Sequence, residues 1–458
     1  MRIAGARCWT SVASNKNKRE ESVTDQKTGS GSGLAFAYVT TLFFAWGFVT
    51  SIIDPLIPSV RSVFTLTFAE SMLTQFAWFI AYGVVSLPAA ALLSRLGFSS
   101  SIIVALAVMV LGCLIVPIAT MLDLYAGVLL ALFVIASGVT LLQVAANPLV
   151  AVLGRPERSH FRLTFSQAFN SLGTVLGPNL GALIMLTGGV FGAGAIADHV
   201  ASREETLRNI DFAFLAVAAF FALLCLFIWA VRKRINAAAP PAQAEFSAPW
   251  RAFGSGWALF GAMAIFLYVG AEVAIGSLMI NFLVDIRFID VMRDAGVIDT
   301  LSGLGLFHLE AEDERIAGQA LGLFYWGGAM VGRFIGSWLL TRVRAGVLLT
   351  IAAFCAGALC LLVTQSVGAA AGVAALSVGF FNSIMFPTIF TLTMERSTAP
   401  APATSGLLCM AIVGGAVLPY LAGQLADASG LNAGFWIPVA GYAGIVVFAA
   451  AAARWKPA

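Results

Sequence analysis

The strongest constraint on this chain is its recurring apolar stretches, each long enough to cross a bilayer. Twelve fall near residues 34–54, 73–94, 100–121, 124–147, 162–186, 210–231, 256–284, 318–340, 345–366, 368–394, 403–425 and 433–453. Each exceeds the ~17 mostly apolar residues that a helix needs to span the hydrocarbon core. A β-barrel would need ~10-residue alternating segments, and none is present. Of 458 residues, 60% are hydrophobic and 11% charged, against about 25% charged in soluble domains. Mean hydropathy is +0.92. These values exclude a soluble enzyme, a disordered protein and a nucleic-acid binder. The net charge of +3 reflects scarce charges rather than a basic patch, so no nucleic-acid partner is expected. The expected fold class is an all-α membrane protein of twelve transmembrane helices in two six-helix halves.

Residues 1–33 form a polar tail without the apolar core of a signal peptide, and read as a disordered cytoplasmic segment. The first half is expected over 34–231 and the second over 256–458. The linker between them, 232–255, opens with Arg232-Lys233-Arg234 and continues with alanines and prolines. With both termini cytoplasmic, all but six of the 26 Lys and Arg fall inside, Arg333 among them. The six outside are Arg61, Arg203, Arg208, Arg287, Arg293 and Arg315. That asymmetry follows the positive-inside rule, and an odd number of spans would spoil it. Two outer loops are long, 187–209 and 285–317.

The halves echo each other. Arg342 ends span 8 as Arg95 ends span 2. Asn382 precedes Pro387 by five residues in span 10, as Gln143 precedes Pro148 in span 4. Pro178 in span 5 and Pro419 in span 11 fall at a similar offset. Transporters built from such parallel repeats hold their substrate near the midplane between the halves.

A carboxylate at mid-membrane costs roughly 2.5–3.5 kcal/mol, so each needs a reason. Glu272 lies well inside span 7, with Tyr268 and Gly276 one turn to either side. It reads as a solute or proton site, or as a structural bond between helices. Asp54 closes span 1 just before Pro55. It reads either as an interfacial loop acid or as a protonatable cavity residue. Amides recur in the same helices: Gln143 and Asn147 in span 4, Gln167 and Asn170 in span 5, Asn281 in span 7 and Asn382 in span 10. Carrying both donors and acceptors, they suit a neutral polyhydroxylated ligand. Each alone could equally be helix–helix glue, worth about 0.6 kcal/mol. Trp46, Trp78, Tyr82, Tyr325 and Trp326 lie within spans and could stack on a sugar ring or simply pack. Arg95 and Arg342 read as inner-end anchors or as gating residues.

No GxxxxGK[ST] loop occurs, so no ATP-binding module is encoded. There is no arginine-rich voltage sensor and no repeated filter sequence. The six cysteines form no CxxC pair, and the three histidines fall in expected loops. No metal site and no cofactor are expected.

Six segments carry a specific resemblance. They are Leu142 to Gly154 (LQVAANPLVAVLG), Phe161 to Gly173 (FRLTFSQAFNSLG), Phe266 to Ser277 (FLYVGAEVAIGS), Phe324 to Arg333 (FYWGGAMVGR), Gly379 to Thr388 (GFFNSIMFPT) and Leu408 to Gly415 (LCMAIVGG). The chain resembles the fucose–galactose–glucose:proton symporter family of the major facilitator superfamily, most closely its bacterial glucose/galactose branch. The resemblance runs from about Ala35 to the last helix.

It implies the major facilitator fold, a multi-pass location in the bacterial inner membrane, and alternating-access sugar import driven by protons. The family's span-1 acid, a proton carrier, matches Asp54. Its span-5 asparagine, a sugar ligand in the fucose permease branch, matches Asn170. Two positions depart. Gln143 stands where the fucose permease has a glutamate, which argues against fucose, and Ile53 stands where the family often has asparagine.

The resulting expectation is a monomeric hexose importer, for glucose or galactose, and no enzyme. Its partners are a small neutral sugar, a coupling proton and the lipid bilayer. Asp54 and Glu272 carry the proton. Gln143, Asn147, Gln167, Asn170, Tyr268, Asn281, Trp326 and Asn382 hold the sugar. L-fucose or N-acetylglucosamine as substrate, sodium as coupling ion, and a sugar sensor without transport are the alternatives.

Overall fold

The computed structural model describes residues 32–51, 56, 59–61, 63–66, 70, 73–185, 199–239, 248–304 and 313–454. Among them no strand occurs, and ten helices are long and apolar enough to cross a membrane. The tail before residue 32, Asp54, and most of the 187–209 loop lie outside the described residues.

The first half contains α1 (Ser32–Ser51), α2 (Leu73–Leu96), α3 (Phe98–Met121), α4 (Tyr125–Val152), α5 (Ser159–Met185) and α6 (His199–Ala238). The second contains α7 (Gly256–Asp285), a broken helix α8 over 313–339, α9 (Ala345–Gln365), α10 (Gly368–Arg396), α11 (Ala401–Ser429) and α12 (Leu431–Arg454). In hydrocarbon every backbone N–H and C=O must be satisfied within the protein. Helices do this along their length, and serine and threonine hydroxyls add bonds back to the preceding turn, as from Thr140 to Ala136 at 2.8 Å.

Two expected boundaries move. Arg232, Lys233 and Arg234 belong to α6 rather than to the linker. There Arg232 covers the Trp229 ring of the same helix, and Arg234 donates to Tyr38 Oη at 3.1 Å, tying the end of α6 to α1. The segment after α7 is partly helical, with short helices at Phe288–Asp294 and Val297–Gly303. Arg293 links the first of these to Asp313 at 2.9 Å.

Within the first half, α1 and α5 approach until backbones touch. A Cβ on Gly173 would meet the Phe44 carbonyl oxygen at 2.4 Å, and one on Gly177 would meet that of Phe48 at 2.5 Å. Small residues four apart permit such contact between membrane helices. Thr40 and Ser166 add a hydroxyl pair at 3.0 Å across the same seam. This seam positions Asn170, one turn before Thr174, against α1.

Candidate substrate cavity between the two halves

The polar side chains are best understood from the prolines. Proline lacks the N–H that would bond the carbonyl four residues earlier, and a helix interior loses about 3 kcal/mol or more by it. In α4, Pro148 releases the Val144 carbonyl. Ser405 of α11 donates to that oxygen at 2.8 Å. In α10, Pro387 releases the Ser383 carbonyl, and the helix breaks between Asn382 and Met385. Arg333 Nε donates there at 3.1 Å. The repeated prolines thus create two acceptors, each met by a side chain from another helix.

Arg333 reaches further. Its Nη1 donates to the Gln167 carbonyl at 3.3 Å and to the Ser171 hydroxyl, both on α5. It therefore ties the second half to the first from mid-helix. Counted from sequence among the inside cations, Arg333 lies within the Gly327–Leu339 part of α8. The missed signal was a lone charge well inside an apolar span.

Further cross-half bonds lie beyond it, toward the ends of α5 and α10. Ser159 donates to Glu395 Oε1 at 2.8 Å. His160 pairs with Thr391 Oγ1 at 2.6 Å, and its Nε2 stands 3.3 Å from Glu395. His160, expected in a loop, belongs to the first turn of α5. Gly406 of α11 sits where a Cβ would lie 2.6 Å from Ala90 Cβ of α2. This end of the molecule is closed.

Toward the opposite end a cavity of about 620 Å³ separates the halves. Thr50, Gln75, Trp78 and Phe79 line it from the first half, and Val273, Gly276, Ser277, Ile280, Leu321 and Trp326 are among the residues lining it from the second. That volume falls within the range of small-molecule sites. The wall is mainly apolar and aromatic, with a few hydroxyls and one amide. Trp326 meets the Tyr325 ring edge-on at 4.9 Å between centroids, which fixes its plane.

The expected ligands divide sharply around this cavity. Trp326 lines it. Glu272 lies one turn from Gly276 on the same face of α7 and is half-buried. Its Oε1 accepts from Tyr268 Oη at 2.7 Å, and Arg333 is the cation whose charge acts on it. Gln143 stands behind the lining, donating to Tyr82 Oη at 2.8 Å, with Trp78 one turn before that tyrosine. Asn170 donates to the Phe43 carbonyl at 3.1 Å. Gln167 is buried beneath Arg333.

Asn382 is wholly buried and satisfied: it donates to Tyr325 Oη at 3.0 Å and accepts from Tyr442 Oη at 2.7 Å. Tyr325 in turn donates to the Glu272 backbone carbonyl at 3.3 Å. This chain of bonds braces α7, α8, α10 and α12 internally. Asn281 is exposed and is not among the cavity's lining residues. Asn147 is 0% exposed; its amide atoms meet no oxygen or nitrogen partner and lie beside the Cys409 thiol of α11. It sits one turn from Gln143, in the closed part between the halves.

Arg342, in the turn after α8, stacks on Trp338 of that helix at 5.3 Å, and Arg95 is exposed at the end of α2. The cross-half bonds described above come from Arg333, Ser405, Ser159 and His160 instead. Among the described residues no cluster could hold a metal ion.

Long apolar helices around a central cavity, closed at one end by bonds between two halves, define a multi-pass membrane transporter. The Major Facilitator Superfamily profile matches residues 39–408, and the chain belongs to that superfamily. It is 40% identical over 431 residues to a glucose/galactose transporter of Brucella abortus, covering 93% of this chain and 95% of that one. It is 29% identical to an L-fucose-proton symporter of Escherichia coli, covering 91% and 92%. A superfamily transporter crystallised in the outward conformation superposes with a TM-score of 0.78 at 26% identity, covering 93% of this chain and 100% of that one. These relatives match the family that the six sequence segments indicated, and they are transporters rather than enzymes.

Proposed function

We propose that this protein imports a hexose, glucose or galactose, by proton symport through alternating access in the bacterial inner membrane. The observation that carries the reading is the asymmetry of the inter-half gap. One end holds a cavity of about 620 Å³, while the other is pinned through Arg333, Ser405 and the Ser159–Glu395 bond. Read with both termini cytoplasmic and twelve spans, this is an outward-facing state. The glucose/galactose relative at 40% identity supports the choice of substrate, and the proton-coupled fucose relative supports the choice of ion.

Sugar binding is assigned to the cavity face, with Trp326 as a platform for the apolar side of the ring. Gln143 and Gln167 stand one layer behind. Asn147 is the reserve ligand: its amide, which meets no oxygen or nitrogen partner, becomes available when the halves part. Asp54 carries the proton, with Glu272 as the second acid. Neutralising an acid lowers the cost of enclosing it in a dry interior. The halves then rock, and the closed end opens. The protein makes and breaks no covalent bond.

The test is labelled-hexose uptake into proteoliposomes with an imposed inward proton gradient, comparing Asp54→Asn with the parent. Glucose, galactose, fucose and N-acetylglucosamine are run in parallel, and sodium replaces the proton gradient in a second set. Concentrative glucose or galactose uptake that falls to exchange alone in the variant is the expected result. Folded protein that moves none of the four sugars would overturn the reading.

A further inference from the structure

We propose that the closed end carries a second ligand site, specific for a phosphate-bearing anion and built on arginines of the second half. A separate cavity of about 360 Å³ lies there, away from the sugar cavity. Glu157 and His160 line it from the first half, and Arg342, Arg344 and Arg396 from the second. Three arginines and one glutamate thus line it; Arg342 and Arg344 are exposed, and Arg396 already donates to the Leu392 and Ala452 carbonyls at 3.0 and 3.2 Å. The volume is again that of a small-molecule site.

The cations are incompletely balanced. Arg396 pairs with Glu395 at 3.5 Å. Arg342 and Arg344 form no ion pair with a carboxylate among the described residues. Arg342 rests on the Trp338 ring, and Arg344 donates to the Ala453 carbonyl at 3.0 Å. The charges of Arg344 and Arg396 lie close enough to act on each other. Like charges drawn close along one rim repel, and an anion between them removes the repulsion. Planar guanidinium groups match phosphate oxygens in pairs, more strongly than they match chloride. Ala345 and Gly346 also line the cavity. They open α9, where backbone N–H groups lack helical acceptors and favour negative charge.

All three arginines belong to the second half; the first half adds only Glu157 and His160, and His160 already pairs with Thr391 Oγ1 and stands 3.3 Å from Glu395. The anion is therefore held by the second half, and its binding stabilises the folded protein. On the orientation given under Proposed function, the site faces the cytoplasm. The ligand is then a soluble phosphate ester or the phosphate of an anionic lipid headgroup, and the two share the recognising chemistry.

The test uses the full-length protein. Its melting temperature is measured in uncharged detergent with glycerol 3-phosphate or chloride at matched ionic strength. It is measured again in phosphatidylcholine nanodiscs with and without phosphatidylglycerol. The parent is compared with the Arg342→Ala/Arg344→Ala double variant; a cooperative melt and a monodisperse gel-filtration profile report that each preparation is folded, and tryptophan-monitored glucose binding is measured alongside. Stabilisation of the parent by about 2–4 °C, lost in the double variant, is the expected result. A response to glycerol 3-phosphate assigns a soluble ester, and a response to phosphatidylglycerol alone assigns the headgroup. No stabilisation by either, or equal stabilisation of the variant, would overturn the site. Absence of glucose binding would instead overturn the sugar reading and leave the anion result standing by itself.

Discussion

Ser405 of α11 donates its hydroxyl at 2.8 Å to the Val144 carbonyl of α4, the oxygen that Pro148 leaves without a helical donor. A local defect in one half is thereby repaired by a side chain of the other. In the proposed alternating-access cycle, the repair holds only while this end is closed. When the halves separate at this end, Val144 must find water or another donor, so the bond contributes directly to the balance between states.

Ser405→Ala therefore shifts that balance toward opening of the closed end. Bonds of this kind between membrane helices average about 0.6 kcal/mol, close to a threefold change in population. Distances between spin labels placed on the closed ends of α4 and α11 should show the shift in detergent. An unchanged distribution would mean that the bond is incidental.

Arg333→Ala has a larger effect. It strips donors from the Ser383 and Gln167 carbonyls and from the Ser171 hydroxyl together. An unsatisfied buried polar group costs about 1–3 kcal/mol. The expected phenotype is retained sugar binding with at least tenfold slower counterflow, since the lesion lies below the cavity. Equal loss of binding and counterflow would place Arg333 in the sugar site instead.

Glu272→Gln keeps an acceptor for Tyr268 and removes the charge. The variant should fold, exchange labelled sugar and fail to concentrate it. An accumulation ratio equal to the parent's would restrict Glu272 to holding Tyr268 in place.

Asn382→Ala and Trp326→Ala should separate bracing from binding. The first leaves Tyr325 and Tyr442 without their buried partner and lowers stability by about 1–3 kcal/mol. The second removes a cavity wall and weakens sugar binding with little change in melting temperature. The reverse pattern, read by thermal unfolding and by equilibrium sugar binding, would overturn both roles.

Much was legible in the chain itself. Apolar runs of bilayer length dictate helices, because hydrocarbon offers the backbone no other way to satisfy its polar groups. The paired Pro148 and Pro387 were visible as a repeat, as was the isolated acid Glu272. Which partner meets each polar group was not legible, because helix faces fix only neighbours three or four residues apart. Tyr268 and Glu272 are such neighbours, and their bond could be read along α7. Asn382 with Tyr442, Ser405 with Val144 and Arg333 with Ser171 join residues 60 or more apart. Only the packing of helices against one another set those pairs. That packing made Asn382 a brace, left Asn147 without an oxygen or nitrogen partner, and turned an apparent inside cation, Arg333, into a bond between the halves.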